Sequence, residues 1–144
     1  MKIYVASSWR CVYQPALVKI LREEGYEVYD FRNPAIENHG FHWSEIDPNW
    51  KTWSTFRFRE ALRHPIAEKG FQYDFEAAKH SDACVLLLPC RRSAHLEAGY
   101  FIGAGKPVHI FIPQDSCEPE LMYKMATGIY TTIIGLLEGL KKGK

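Results

Sequence analysis

Side chains able to bind or react follow three apolar runs of this sequence, and each run predicts a β-strand. They are Ser7 and Ser8 after the first run, Asp30 after the second, and Arg91, Ser93 and Glu97 after the third. The carboxyl ends of parallel strands meet at one edge of an α/β sheet, and ligands bind there. We therefore expect these side chains to line one ligand-binding site.

The third run, residues 83–88, lies at the centre of the predicted architecture. Its almost unbroken apolar character is typical of a strand buried on both faces. Leu96, Tyr100 and Phe101 follow at helical spacing, and glycines at 103 and 105 end the predicted helix. Ser93 and Glu97 are four residues apart, so we expect both side chains on one face of the first helical turn.

Glu97 and Arg91 suggest different roles at this helix N-terminus. A carboxylate there stays anionic, which suits a nucleophile or a stabiliser of positive charge better than a general acid. An arginine beside the free N–H groups of a first turn suits a phosphate or a carboxylate. The alternatives are that Glu97 only complements the helix dipole and that Arg91 is an ordinary exposed arginine.

The sequence lacks the motifs of several other classes of functional site. The pair His39-x-x-His42 has no accompanying cysteine or carboxylate set with metal-ligand spacing, so we predict no metal site. The sequence lacks the nucleophile-elbow, phosphate-loop and dinucleotide glycine patterns, and we predict no cofactor. His95 is either a pocket acid or base or an exposed first-turn residue, and we favour the second.

The composition indicates one globular domain. The chain has 144 residues, of which 47% are hydrophobic and 24% charged, with a net charge of +1. This charge gives no argument for a nucleic-acid or membrane partner, and no apolar run approaches transmembrane length. The four cysteines show no paired spacing and no signal-peptide pattern precedes the first strand, so we expect a cytoplasmic protein without disulfides.

The remaining elements complete a small α/β fold. Apolar patterns predict strands at residues 2–6, 26–31, 83–88 and 108–112, and further helices at 14–24, 70–80, 118–124 and 131–142. Two strands joined by one helix form a unit with parallel strands. We therefore predict one domain, residues 1–144, with a doubly wound, flavodoxin-like parallel sheet of four to five strands and helices on both faces.

Residues 35–65 do not fit a compact connection within such a fold. Trp43, Trp50 and Trp53 fall within eleven residues, and a basic helix is predicted near residues 56–63. Loops of this length inside a domain are typically lids or binding loops, and we favour that interpretation. The alternative is an ordinary surface excursion that its tryptophans pack down.

Three segments resemble the nucleoside 2-deoxyribosyltransferase superfamily, which includes deoxynucleoside 5'-monophosphate N-glycosidases. They are Lys2-Ile-Tyr-Val-Ala-Ser7, the pattern Asp74-x7-Asp82, and Ser93-x3-Glu97-x-Gly99-Tyr100 leading to Gly105-Lys-Pro-Val108. The resemblance covers residues 2–31 and 70–125 and leaves the aromatic insert at 35–65 unexplained.

The resemblance implies cleavage of the N-glycosidic bond of a nucleoside or nucleotide, by hydrolysis or base exchange. Glu97 matches the glutamate that attacks the anomeric carbon, and Asp74 matches an aspartate that helps bind or protonate the departing base. Pocket-lining positions of the family correspond to Tyr4, Ala6 and Ser7. The family works as dimers or larger assemblies, and Glu120 falls where it offers a residue to the adjacent subunit.

Two positions depart from the family pattern. Arg91 stands where the transferases have aspartate and the monophosphate hydrolases serine, and Ser93 replaces a glycine. An arginine suits a dianion, so we favour hydrolysis of a phosphorylated substrate, with base transfer still open. Trp43 and its insert could stack on a nucleobase, or bring Arg57 or Arg59 to a phosphate. Two alternatives remain, a glycohydrolase acting on NAD and a non-catalytic nucleotide-binding module.

Overall fold

A parallel sheet organises the computed structural model of the chain, which describes residues 1–115 and 118–143. Within those residues five strands pair in the order β2-β1-β3-β4-β5. They are β1 (Lys2–Ala6), β2 (Glu27–Tyr29), β3 (Ala83–Leu87), β4 (Val108–Phe111) and β5 (Gly128–Tyr130). All four pairings are parallel. From β1, the chain forms β2 on one side of β1 and then β3 on the other side. The strand order therefore reverses between β1 and β3, and parallel sheets bind ligands at such a point.

Helices cover both faces of this sheet. They are α1 (Gln14–Glu23) and α5 (Ile133–Lys142) on one face and α4 (Arg92–Gly103) on the other, whereas α2 (Thr55–Ala61) and α3 (Pro65–His80) belong to the second compact unit described below. Side chains of α1 and α5 join alternate strand residues, such as Val5 and Val85, in one core cluster. The intervening strand residues point to the other face, where Tyr4 of β1 packs against Phe101 of α4. The predicted α/β class with a doubly wound parallel sheet is confirmed.

The chain divides into two compact units. The sheet unit comprises Met1–Asp30 and His80–Lys144, and the second unit is Phe31–Lys79, which contains the predicted insert at 35–65. Within the second unit, Trp43 makes edge-on contacts with Phe41, Trp53 and Phe58, at ring-centroid distances of 4.7, 5.7 and 5.8 Å. The Trp53 indole N–H also donates to the Asp47 carboxylate, at 2.6 Å. Trp43 and Trp53 therefore pack within their own segment, and the predicted role of the insert as a lid or binding loop stays a prediction.

Four local predictions were wrong. The strand β5 was missed, because three residues that begin with glycine carry no periodic signal and form a strand only by pairing with β4. The helix predicted at 118–124 is a short 3₁₀ turn over Leu121–Met125. Helix α3 begins at Pro65, because proline is tolerated in a first turn. Two apolar residues of the predicted helices do not face inward: Leu96 and Phe71 are 77% and 57% exposed, since α4 buries Ala94, Ala98 and Phe101 and α3 buries only alanines.

Tyr130 of β5 packs tightly against Gly139 of α5. A methyl group at Gly139 would collide with the Tyr130 hydroxyl, and the ring is held by stacking on His109 at 5.7 Å. We expect Gly139→Ala to lower the free energy of unfolding by about 1–3 kcal/mol, in spite of its better helix propensity. The control is Gly99→Ala in α4, where nothing lies within 4 Å and a neutral or stabilising effect is expected. Urea denaturation measures both, and equal effects would contradict the packing argument.

The buried His109 side chain of β4 is expected to make the protein less stable in acid. Burial lowers the pKa of His109 below its ordinary value, so the unfolded chain takes up this proton at a higher pH than the folded protein. The contribution of neutral His109 to the free energy of unfolding is fully present above about pH 6.5, the ordinary pKa of histidine. It is lost as the pH falls toward the lower pKa of the folded protein. Urea unfolding at a series of pH values should show a shallower acid loss for His109→Gln. The same pH dependence in both proteins would contradict this.

Candidate active site

The carboxyl ends of β1 and β3 are joined by a side-chain hydrogen bond. The Ser7 hydroxyl donates to the Leu87 carbonyl at 3.0 Å, and Ser7 is only 9% exposed. The next residue, Ser8, is half-buried, and its Oγ accepts from the Arg10 backbone N–H at 3.2 Å. Both serines therefore shape the loop after β1, and their predicted contact with a ligand stays a prediction.

Tyr4 and Ala6, the other pocket-lining residues predicted in β1, have no exposed surface. The Tyr4 ring stacks on Tyr29 of β2 at 5.2 Å and packs against Phe101 at 5.6 Å. Both side chains are therefore part of the buried core of the sheet unit. Their direct contact with a ligand stays a prediction.

The start of α4 presents polar groups to solvent. Arg91 is the N-cap residue, with an extended backbone and no side-chain capping hydrogen bond. The side chains of Arg91, Arg92 and Ser93 are all exposed. Because α4 is twelve residues long, its first N–H groups and its dipole add to the positive potential there. This arrangement suits an anionic ligand.

Glu97 lies on the side of α4 that approaches β3. It is half-buried, and it stands between the buried residues Ala94 and Phe101 of the same helix. Burial raises the pKa of the Cys84 thiol in β3, and the nearby Glu97 carboxylate raises it further. The carboxylate is therefore close enough to the central strand to act on a buried group.

The predicted placement of Glu97 in the first turn of the helix was wrong. Helix α4 begins at Arg92, so Glu97 falls in its second turn, and the first turn holds no acidic residue. The dipole effect falls off within the first turn, because it arises from the unpaired N–H groups there. His95 is an exposed first-turn residue, as predicted, and its ring makes specific contacts described below.

Three cavities lie near predicted site residues, and Glu97 lines none of these three. The first, of about 330 Å³, lies beside the start of α4 and is lined by Cys90, His95 and Glu120 among others. The second, of about 200 Å³, lies in the second unit and includes Asp74. The third, of about 400 Å³, runs along α1 and includes Asp30.

Asp30 is held at the end of β2. It is 7% exposed and accepts a hydrogen bond of 2.7 Å from the buried Gln14 amide at the start of α1. Asp30 borders the third cavity together with Pro15 and Arg22 of the same helix. Its carboxylate thus already fastens β2 to α1, and its predicted role in substrate binding stays a prediction.

Asp74, in α3, lines the second cavity beside aromatic residues that the sequence analysis did not single out. Phe41 and Tyr73 border the same space. Phe41 lies close because Gly70 of α3 has no side chain, and a Cβ there would lie 2.9 Å from the Phe41 Cβ. Because Gly70 was the first residue of the predicted helix and lies inside α3 only in the structure, the sequence did not signal this close approach. Trp43 does not line this cavity and packs in the aromatic cluster.

Glu120 is exposed and caps the 3₁₀ turn that follows it. Its carboxylate accepts from the Met122 backbone N–H at 3.0 Å. The proposed role of Glu120 in a neighbouring subunit stays a prediction. Within residues 1–115 and 118–143, no three metal-binding side chains group together. Across the same residues, no helix is long and apolar enough to cross a bilayer.

Neither protein-family models nor curated proteins match this sequence. Solved structures do share its fold. A 2-deoxyribosyltransferase from the psychrotolerant bacterium Bacillus psychrosaccharolyticus is 18% identical with a TM-score of 0.58, over 90% of this chain and 85% of that chain. A Clostridium botulinum CMP N-glycosidase, BcmB, is 16% identical with a TM-score of 0.52, over 98% and 99% respectively.

A third solved structure, a conserved protein from Enterococcus faecalis, is 18% identical with a TM-score of 0.62, over 100% of this chain and 99% of that chain. At these identities the likeness concerns the fold. It confirms the flavodoxin-like α/β class, and it confirms at the level of fold the resemblance to the nucleoside 2-deoxyribosyltransferase superfamily.

Proposed function

We propose that this chain cleaves the N-glycosidic bond of a nucleoside or nucleotide, by hydrolysis or by base exchange, with Glu97 as the nucleophile. One observation carries the proposal. Glu97 is a half-buried glutamate on α4, next to the central strand β3, in the pattern Ser93-x3-Glu97-x-Gly99-Tyr100. Of the two solved enzymes with the same fold, one is a 2-deoxyribosyltransferase and the other is a CMP N-glycosidase.

The proposed reaction has two steps. A Glu97 carboxylate oxygen bonds to the anomeric carbon while the bond to the base nitrogen breaks, and the electron pair leaves with the base. The departing base takes a proton, for which Asp74 is the proposed donor. Water, which gives up one proton to solvent, or a second base then attacks the same carbon, and the bond between that carbon and Glu97 breaks to release the Glu97 carboxylate. The transition state resembles an oxocarbenium ion, so a nearby anion stabilises it before bonding to it.

The proposed substrate carries a phosphate. Arg91, Ser93 and the first N–H groups of α4 together form an exposed positive region at the carboxyl end of β3. A guanidinium can bind two phosphate oxygens at once through charge-assisted hydrogen bonds, whereas a free sugar hydroxyl offers neither the charge nor the second oxygen.

A product assay tests the proposal directly. The protein is incubated with a panel of nucleosides, deoxynucleoside monophosphates, ribonucleoside monophosphates and NAD, and free base is separated by chromatography. We expect release of base from at least one monophosphate. Release from NAD alone would favour the glycohydrolase alternative. Tight binding of an unchanged nucleotide, measured by calorimetry, would favour the binding module and contradict the enzyme.

A further inference from the structure

We propose that Cys90 is a nucleophilic thiol, activated by its contact with His95, that forms mixed disulfides with low-molecular-weight disulfides. The proposal rests on a hydrogen-bonded cluster of Cys90, His95 and Tyr123 that borders the cavity of about 330 Å³ beside α4. The proposed glycosidic activity uses none of these three side chains. The two proposals can therefore fail separately.

The imidazole of His95 is fixed by three contacts. Its Nδ1 lies 3.6 Å from the Cys90 sulfur and 3.0 Å from the Arg91 carbonyl oxygen, and its Nε2 lies 2.9 Å from the Tyr123 hydroxyl. The His95 and Tyr123 rings also stack, with centroids 5.9 Å apart. The ring therefore cannot turn away from the sulfur without breaking contacts at both nitrogens.

These contacts determine where the hydrogen atoms lie. A carbonyl oxygen only accepts, so the contact with Arg91 places a hydrogen on Nδ1. Tyr123 can donate its O–H to Nε2 when the ring is neutral and accept an N–H when the ring is protonated. In both states the single N–H on Nδ1 is donated to the Arg91 carbonyl oxygen, and the Cys90 sulfur, 3.6 Å from the same nitrogen, shares it. An N–H donor stabilises a thiolate relative to a thiol.

Charged groups around Cys90 act in both directions. The adjacent Arg91 and Arg92, with the N–H groups at the start of α4, favour a thiolate. The carboxylates of Glu118 and Glu120 line the same cavity and oppose it, but both side chains are exposed and that of Glu120 is bonded to a backbone N–H. Solvent screens exposed charges more strongly than it weakens a direct contact. Arg91 and Arg92 are exposed as well, so solvent screens the charges of both signs, and the direct contact with the His95 N–H is what distinguishes this thiol.

Access distinguishes Cys90 from the other described cysteines. Cys11 and Cys84 are fully buried, whereas Cys90 is half-buried beside a cavity large enough for a small organic disulfide. The thiolate sulfur bonds to one sulfur of the disulfide, the S–S bond breaks, and the other half leaves as a thiolate. The protein thiol is oxidised to a mixed disulfide, and half of the small disulfide is reduced.

The test measures the reaction with 4,4'-dithiodipyridine at neutral pH, in a Cys117→Ser background. We expect one thiol of the folded protein to react fast and Cys90→Ser to lose that phase. His95→Phe keeps a ring beside Tyr123 but removes both nitrogens, and we expect it to slow the reaction about tenfold. An ordinary thiol is only a few per cent thiolate at neutral pH, so a larger thiolate fraction can raise the reaction rate by a few tens of times at most.

A second measurement needs no variant of the cluster. In the folded protein Cys90 should react faster than the average cysteine of the urea-unfolded chain, while Cys11 and Cys84 should react only after unfolding. A Cys90 rate no faster than that of the unfolded chain would overturn the proposal. So would a fast phase that persists in Cys90→Ser, or an unchanged rate in a His95→Phe variant with the wild-type unfolding midpoint.

Discussion

Replacing Glu97 with glutamine is expected to reduce the release of free base by about 10³-fold or more, on the scale seen when a covalent nucleophile is removed. Glutamine has nearly the same volume, but its amide neither attacks the anomeric carbon nor stabilises the positive charge that develops there. Because Glu97 is half-buried against α4 and β3, a similar volume should preserve the packing. Chromatography of released base measures the loss, and calorimetry measures retained nucleotide binding.

The matched control for this experiment is Glu138→Gln. Glu138 is an exposed glutamate on α5, so its replacement removes the same charge without touching α4. We expect Glu138→Gln to keep the wild-type activity and both variants to keep the wild-type unfolding midpoint. Substantial activity in a folded Glu97→Gln protein would remove Glu97 as the nucleophile, even if the chain proves to be an N-glycosidase.

Replacing Arg91 with alanine is expected to raise KM for phosphorylated substrates about tenfold to a hundredfold and to leave KM for free nucleosides nearly unchanged. A lost hydrogen bond to a charged group costs about 1.5–3 kcal/mol, which corresponds to that range. Arg91 is exposed at the N-cap of α4 and makes no capping hydrogen bond with its side chain, so the fold should tolerate alanine. Steady-state kinetics on a nucleotide and its dephosphorylated nucleoside measure the difference.

Two further variants sharpen this result. Arg91→Lys keeps the positive charge but loses the forked geometry, so an intermediate KM is expected if two phosphate oxygens are bound. Arg59→Ala tests the alternative that the aromatic insert supplies the phosphate contact, since Arg59 is an exposed residue of α2. Equal effects of Arg91→Ala on both substrates would contradict the proposed contact between Arg91 and the phosphate. An effect of Arg59→Ala alone would assign the phosphate contact to the insert instead.

The sequence by itself determined the class of fold and the element that carries Glu97. Apolar runs such as Ala83–Leu87 and a helix stopped by Gly25, whose φ of +83° is left-handed, are local signals. Local signals suffice for a parallel α/β sheet, because its strands are continuous apolar segments and its crossovers have one handedness. The start of α4 after β3 followed from the same patterns to within a residue or two.

The tertiary structure alone decided which polar groups are accessible and which are already engaged. Tyr4 is completely covered, and Asp30 is bonded to Gln14, which no spacing in the sequence indicates. Cys90 and Tyr123 meet across the His95 ring although they are far apart in the chain. Periodicity reports which face of an element is apolar, whereas these contacts depend on how separate elements pack, and that information is present only in the folded chain.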